Sequence, residues 1–205
     1  MATISTVRAR AREIARAHRD RPRALAEMAV RLAGDGEEQL GFELFRASRQ
    51  AVASLGARQI EALLGTLHDW NSTDCFACFV SGVAWREGSL SDAAVARWCV
   101  SKNLWTRRAA LASTVPLNLT ARGATAPNGE AARTLAVCER LVDDREDMVV
   151  KALSWALRVL AMKDPRAVAG FVKKHEHRLA ARVLRETRNK LTTGLKNPGK
   201  TVRGA

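Results

Sequence analysis

The chain has 205 residues, with 34 Lys and Arg against 21 Asp and Glu, and a formal net charge of +13. Apolar residues make up 47% of it, which is enough to bury a substantial core. No apolar run approaches the roughly 20 residues that a helix needs to cross a bilayer. The composition therefore excludes a membrane-spanning protein and a wholly disordered chain.

The positive charge is concentrated at the two ends of the sequence. Residues 1–31 carry eight Arg and three acids, residues 171–205 carry ten Lys and Arg and two acids, and the middle is balanced. Uncompensated basic surface typically neutralises phosphates, so this distribution predicts contacts with a polyanion at the rims of an elongated molecule. A compositional bias towards Ala and Arg is the alternative explanation.

The four cysteines, Cys75, Cys78, Cys99 and Cys138, are too few and too interior for the disulfide framework of a small secreted domain, and we expect them to be reduced. The basic start has no apolar stretch of the kind found in secretory signals, which predicts a cytoplasmic location. An organelle transit peptide remains an alternative for this Arg-rich segment.

Apolar residues recur at i, i+3, i+4 and i+7 in runs of 10 to 20 residues, which predicts an all-α protein. Proline and glycine segments mark where the predicted helices start, break or turn, at Arg21-Pro22, Gly34-Asp35-Gly36, Gly88-Ser89 and Asp164-Pro165. The segment Pro116–Gly129 is rich in turn formers and predicts a long surface loop. The predicted helices cover residues 3–19, 22–33, 37–55, 58–67, 71–86, 91–101, 104–114, 129–142, 147–161, 164–174 and 177–192.

Short helix pairs in series suggest internal repeats. The segment Leu104–Ser113 aligns with Met148–Leu157 at an offset of 44 residues and with Trp70–Phe79 at an offset of 34. A helix–turn–helix unit recurring at such intervals predicts a HEAT-like repeat α-solenoid whose inner helices line a concave, basic groove. An irregular helical bundle is the alternative. We expect one domain over residues 1–192 and a basic, disordered tail over 193–205.

Tryptophans and a single carboxylate are the candidates for a functional site. Trp85 and Trp98 lie within apolar helical patterns and fit a core role. Trp70 and Asp74 are four residues apart and point the same way on a helix. Asp74 either caps the helix or stabilises its positive N-terminus, or it is held in a partly desolvated site that acts on a cation.

The alignment at an offset of 34 residues places Arg108 in the position of Asp74 one repeat later, so the two side chains are predicted to line one inner surface. Arg107 and Arg108 are about 100° apart on a helix, so at most one of them faces that surface. Trp155 has small neighbours and an accessible ring face. Two indoles, a carboxylate and an arginine together would form a cleft suited to a cationic ligand next to a phosphate.

These residues carry a resemblance to a known family. The motifs are W-x-x-x-D at Trp70 and Asp74, W-x-x-R at Trp105 and Arg108, and K-A-x-x-W-A-L-R from Lys151 to Arg158, followed by Asp164-Pro165. In this order they resemble the DNA alkylation repair family of HEAT-like DNA glycosylases, the AlkD type. The resemblance covers residues 37–185; the part before residue 37 is less similar, and Pro116–Gly129 looks inserted.

The resemblance implies an enzyme that removes cationic alkylated purines, such as 3-methyladenine and 7-methylguanine, from double-stranded DNA. By matching position, Asp74 would be the catalytic carboxylate, Trp70 and Trp155 the aromatic walls beside the lesion, and Arg108 a backbone-phosphate contact. The remaining motif residues, Trp105, Arg107, Lys151 and Arg158, are assigned with Arg108 to the DNA-binding surface. We expect a monomer that needs no metal and no cofactor.

Other motifs favour structural roles. Cys75 and Cys78 form a C-x-x-C without a second pair, which favours core thiols over a metal or redox site. His175 and His177 are two residues apart and point in different directions on a helix, which argues against a metal site. The alternative function is a non-catalytic HEAT-repeat module that binds DNA or a protein along the same groove.

Overall fold

The computed structural model describes residues 3–119 and 130–199, and all regular elements within these ranges are helical. In chain order the helices are α1 (Ile4–Ala17), α2 (Pro22–Gly34), α3 (Glu38–Ala47), α4 (Arg49–Ala53), α5 (Ala57–Gly65), α6 (Trp70–Phe76), α7 (Gly82–Arg86), α8 (Asp92–Trp98), α9 (Leu104–Ala112), α10 (Thr114–Asn118), α11 (Glu130–Arg140), α12 (Asp147–Leu160), α13 (Pro165–Lys174) and α14 (Ala181–Thr193). In the described part of the chain, no helix is long and apolar enough to cross a membrane.

Most helix boundaries follow the punctuation of the sequence. Pro22 and Pro165 occupy first-turn positions, where the missing N–H has no intrahelical partner to lose. Gly88 adopts a φ of 85° in the turn after α7, a backbone conformation that favours glycine. The all-α prediction is confirmed, and the helix starts at Pro22 and Pro165 are where the sequence places them.

Some of the predicted helices have different bounds in the structure. The helix predicted over residues 37–55 is two helices, because Ser48 is extended and its hydroxyl caps α4 through the Ala51 N–H. The last helix begins at Ala181, because residues 175–180 form turns and not the first turn of a helix.

The long loop predicted from Pro116 to Gly129 begins later than expected. Pro116 lies in the first turn of α10, where the helix tolerates proline, and Asn118 donates side-chain hydrogen bonds to the Thr114 carbonyl and the Thr134 hydroxyl. The rest of the predicted loop, residues 120–129, lies outside the described residues.

The predicted tail begins where α14 ends. Gly194 follows Thr193 with a φ of 74°, and Lys196 folds back so that its ammonium is 3.6 Å from Glu186. Residues 200–205 of the tail lie outside the described residues.

The helices pack in sequence, each chiefly on its neighbours. One row runs α1, α3, α6, α9, α12 and α14, with each helix against the next. The helices α2, α5, α8, α11 and α13 pack beside this row on their sequence partners α3, α6, α9, α12 and α14. This serial arrangement of helix pairs confirms the solenoid-like architecture and distinguishes it from an irregular bundle.

Polar contacts between neighbouring pairs recur at a nearly constant separation in sequence. Side-chain hydrogen bonds repeatedly join residues 32 to 37 positions apart, among them Arg8 to Glu43, Asn71 to Gln39, Trp98 to Glu61, Arg108 to Asp74, Arg178 to Asp143 and Ser154 to Glu186. This separation is the length of one structural repeat. A motif residue in one repeat is therefore placed beside its counterpart in the next.

A π-helical turn, Ala77–Ser81, joins α6 to α7 without ending the helix. Just beyond it, Gly82 lies so close to α10 that a Cβ atom would be 2.7 Å from both the Ser113 carbonyl oxygen and Pro116 Cγ. The Ser81 and Ser113 hydroxyls are hydrogen-bonded at 2.6 Å in the same contact. The wider turn allows one continuous helix to aim Asp74 at α9 and to seat Gly82 against α10.

Candidate active site

The start of α6 is fixed by a side chain that the sequence analysis did not single out. Asp69 is the N-cap, and its carboxylate accepts hydrogen bonds from the Ser72 N–H at 2.7 Å and the Ser72 hydroxyl at 2.8 Å. Burial acts to raise the pKa of Asp69, but these donors outweigh it and the pKa is lowered. Because Asp69 caps the helix, the capping role considered for Asp74 is wrong.

Asp74 forms a bidentate ion pair with Arg108. Arg108 Nε donates to Oδ1 at 3.0 Å and Nη2 donates to Oδ2 at 2.8 Å, while Nη1 donates to the Met148 carbonyl at 2.5 Å. The guanidinium thus joins α6, α9 and α12. The prediction that Asp74 and Arg108 line one surface is confirmed, although Arg108 is committed to protein partners and its phosphate contact stays a prediction.

Asp74 is partly desolvated but remains reachable. Its side chain is 22% exposed, whereas that of Arg108 is 7% exposed. Burial, the largest influence, raises the pKa of Asp74 above its ordinary 3.8 and outweighs the opposing hydrogen bonds and charge of Arg108. The outer edge of the carboxylate keeps free lone pairs, since each oxygen accepts only one hydrogen bond from Arg108. It can therefore bind water or a cationic centre from the solvent side.

Trp70 and Trp155 contribute aromatic surface on helices that hold the ion pair. Trp70 begins α6 one turn before Asp74 and is 55% exposed, which is unusual for so large an apolar side chain. Trp155 is half-buried on α12, two turns after Met148. Trp105 packs against the core at the start of α9, while Trp85 and Trp98 are buried as predicted.

The other basic residues predicted to bind DNA differ in their exposure to solvent and in the protein partners that they already have. Arg107 turns away from Asp74: its Nε donates to Asp144 at 2.7 Å and its Nη1 to the Ser101 carbonyl at 2.9 Å. Lys151 is 40% exposed and pairs with Asp147 one turn earlier. Of these two, Lys151 is the one that solvent reaches easily.

Arg158 belongs to a buried polar cluster between α12 and α14. Its Nε is 3.2 Å from the Ser154 hydroxyl, which in turn donates to the buried Glu186 at 2.7 Å. Burial lowers the pKa of Arg158, and the nearby Glu186 opposes this effect. These contacts hold α12, the helix that carries Trp155, against α14.

The cysteines are free thiols, as expected. Cys99 and Cys138 are buried, whereas Cys75 and Cys78 are only partly so, and burial raises the pKa of Cys78 to about 12. Within residues 3–119 and 130–199, no three His, Cys, Asp or Glu side chains are grouped as ligands for a metal ion.

Two contacts of the site were not foreseen from the sequence. The signal for the Asp69 cap is present, since an acidic residue directly precedes the first helical residue. The Met148 carbonyl gave no signal, because any residue supplies the same backbone acceptor. Its identity depends on how α9 packs on α12.

Comparison with known proteins agrees with this geometry. A family model described as DNA alkylation repair enzyme matches residues 2–191, which extends the resemblance seen over residues 37–185 to include α1 and α2. Comparisons with curated proteins and with solved structures gave no significant match. Because the family model covers nearly the whole chain, this protein belongs to the DNA alkylation repair enzyme family.

Proposed function

We propose that this protein is a DNA glycosylase that hydrolyses the N-glycosidic bond of cationic alkylated purines, such as 3-methyladenine and 7-methylguanine, in double-stranded DNA. The observation that carries the proposal is the pair of Asp74 and Arg108. An arginine fixes both oxygens of a partly desolvated carboxylate, and exposed indole surface lies one turn away.

The chemistry requires little more than such a carboxylate. An N-alkylated purine carries positive charge, so it departs as a neutral base when the C1′–N bond breaks. The sugar then becomes cationic, and a negative charge held nearby stabilises it. Water adds its oxygen to C1′ and loses one proton, which leaves an abasic sugar. Asp74 would stabilise the sugar cation and orient the water.

Arg108 acts in this proposal as a positioning residue. It holds the carboxylate in one orientation and keeps it more acidic than burial alone would. Trp70 and Trp155 would flank the cationic base, since the faces of indole rings attract cations. Lys151 would contribute charge towards the DNA backbone.

The experiment compares purine release from methylated duplex DNA by the wild type, Asp74→Asn and Asp143→Asn, in buffer containing EDTA. Asp143 is a matched control because it also pairs with an arginine, Arg178, 35 positions away, but at an exposed site. We expect Asp74→Asn to lower the single-turnover rate by about 100-fold or more and Asp143→Asn to leave it unchanged.

Two results would contradict the proposal. Full activity in a folded Asp74→Asn variant would place the catalytic carboxylate elsewhere. A folded wild type that binds duplex DNA without releasing base would favour the non-catalytic binding module. Circular dichroism of each variant establishes that it is folded.

A further inference from the structure

A groove lined by arginines lies between α1 and the corner where α3 meets α4. Its volume is about 490 Å³, and Arg12, Arg16, Arg19 and Arg49 contribute to its walls. None of the described residues that line it is acidic; the others are alanines, Ser48 and Gln50. Arg19 and Arg49 are paired with Asp20 and Glu87, so the positive charge that favours an anionic occupant comes chiefly from Arg12 and Arg16.

Two of these arginines have no hydrogen-bonding or ion-pair partner among residues 3–119 and 130–199. No side-chain hydrogen bond or ion pair joins Arg12 or Arg16 to any other described residue, and both are exposed. By contrast, Arg8, on the same helix, donates to Glu43 at 3.0 Å. Arg12 and Arg16 therefore present uncompensated guanidinium groups, which are well suited to bidentate contacts with phosphate.

The spacing of the arginines on α1 fits an extended anion. Arg8, Arg12 and Arg16 are four positions apart and so lie along one face of the helix, and Arg19 follows in the turn after its end. At about 1.5 Å per residue, the helical stripe from Arg8 to Arg16 is about 12 Å long. One strand of duplex DNA has a phosphate about every 3.4 Å along its axis, so the stripe spans roughly three to four phosphates.

Two further grooves share lining residues with this one, and the lining of one of them includes a residue close to Asp74 in sequence. A groove of about 280 Å³ shares Arg12 and adds Arg8 and Arg46. A third, of about 190 Å³, shares Arg46 and Arg49, adds Arg86, and reaches Cys78. Cys78 lies one helical turn after Asp74.

The acid within these grooves is already neutralised. Glu43 is 2% exposed and accepts hydrogen bonds from both Arg8 and Arg46, at 3.0 and 3.1 Å. Apart from Glu43, the charged side chains among the described lining residues of the three grooves are all arginines, and the groove that reaches Cys78 also has apolar walls.

We propose that Arg12 and Arg16 bind backbone phosphates of the duplex on one side of the lesion. The ligand chemistry, a phosphate diester or a free phosphate, follows from the groove, and its assignment to DNA rests on the proposed function. Nothing in the resemblance or in the motifs assigns a role to these residues of α1.

The test is the salt dependence of duplex DNA binding by wild type, Arg12→Ala/Arg16→Ala and the control Arg31→Ala/Arg58→Ala. Arg31 and Arg58 lie on α2 and α5, are exposed, and form no ion pair with any described residue, so the control removes the same charge. The logarithm of the binding constant falls with the logarithm of the salt concentration, and each lost phosphate contact makes this slope shallower by about 0.9. At 0.1 M salt this is roughly 8-fold in affinity per contact, and about 60-fold for the pair.

We expect the slope of Arg12→Ala/Arg16→Ala to be shallower than that of the wild type by about 2, and the slope of the control variant to match the wild type. Equal slopes for all three proteins would overturn the proposal, as would an equal loss in both variants, which would indicate a general charge effect. Thermal melting of the variants should match the wild type, since all four side chains are exposed and none forms a hydrogen bond or ion pair with a described residue.

A second arm distinguishes DNA from a free phosphate ligand by calorimetric titration with inorganic pyrophosphate. Tight pyrophosphate binding that is lost in Arg12→Ala/Arg16→Ala, with unchanged affinity for duplex DNA, would overturn the assignment to DNA. Because the readout is binding, failure of the groove and failure of the glycosylase proposal are separable. A wild type that releases no base can still show the change in slope.

Discussion

Replacing Arg108 by Gln tests whether the pair with Asp74 is an energetically coupled unit. Removing one partner of a buried ion pair costs about 3–5 kcal/mol, because the other charge is left buried and unpaired. Arg108 is 7% exposed and makes three hydrogen bonds, but Asp74 retains 22% exposure, through which water can solvate it. We therefore expect the lower end, about 3 kcal/mol. For a chain of this size, the melting temperature would fall by about 6–12 °C.

The assay is thermal and urea unfolding of Arg108→Gln, Asp74→Asn and the double variant, read as a double-mutant cycle. We expect a coupling energy above about 1.5 kcal/mol. The control is Arg178→Gln, which breaks a bidentate pair with Asp143 whose partners are 38% and 62% exposed. It should cost at most about 1 kcal/mol. A coupling below about 0.5 kcal/mol between Asp74 and Arg108, typical of surface pairs, would refute the reasoning.

Three further predictions concern the pH dependence of excision, the close approach at Gly82 and the exposed side chain of Trp70. Because the pKa of Asp74 is raised and excision needs the carboxylate ionised, the single-turnover rate should fall with decreasing pH through a midpoint above 3.8. Arg108→Gln removes a partner that lowers this pKa and should move the midpoint higher. An unmoved midpoint would assign Arg108 a purely structural role. Gly82→Ala would place a Cβ 2.7 Å from the Ser113 carbonyl oxygen and should lower the free energy of unfolding by about 1–3 kcal/mol. The control Gly170→Ala, with open space around it, should be neutral or slightly stabilising. Equal effects of the two substitutions would contradict the close approach of Gly82 to α10. Trp70→Ala should keep the melting temperature within about 2 °C of the wild type, because the side chain is 55% exposed, but it should reduce the rate of excision. A large loss of stability with normal excision would show that Trp70 has a packing role instead.

The fold was largely predictable because its signals are local. Helix periodicity and turn residues operate within a few positions, so the helices and most of their ends could be predicted. Ser48 was missed because the apolar pattern continues across it, and only the extended backbone at that residue shows that a new helix begins. Pro116 suggested a break, but a proline in a first turn costs a helix little.

The site was predictable only where repetition placed residues together. The offset of 34 residues brought Asp74 and Arg108 onto one surface, and the structure joins them directly. The same alignment selected Arg108 rather than Arg107 for that surface, but it offered no partner for Arg107, whose ion pair with Asp144 depends on how α9 packs against the turn after α11. Nor could the sequence show the groove beside α1, since its walls come from helices whose contact depends on tertiary packing.

The contacts that recur every 32 to 37 residues have a mechanical consequence. They join each helix pair only to the next, so the curvature of the stack is the sum of small angles at successive interfaces. Small rotations at successive interfaces therefore add along the stack, so the two end pairs can shift relative to each other by more than any two neighbouring pairs do.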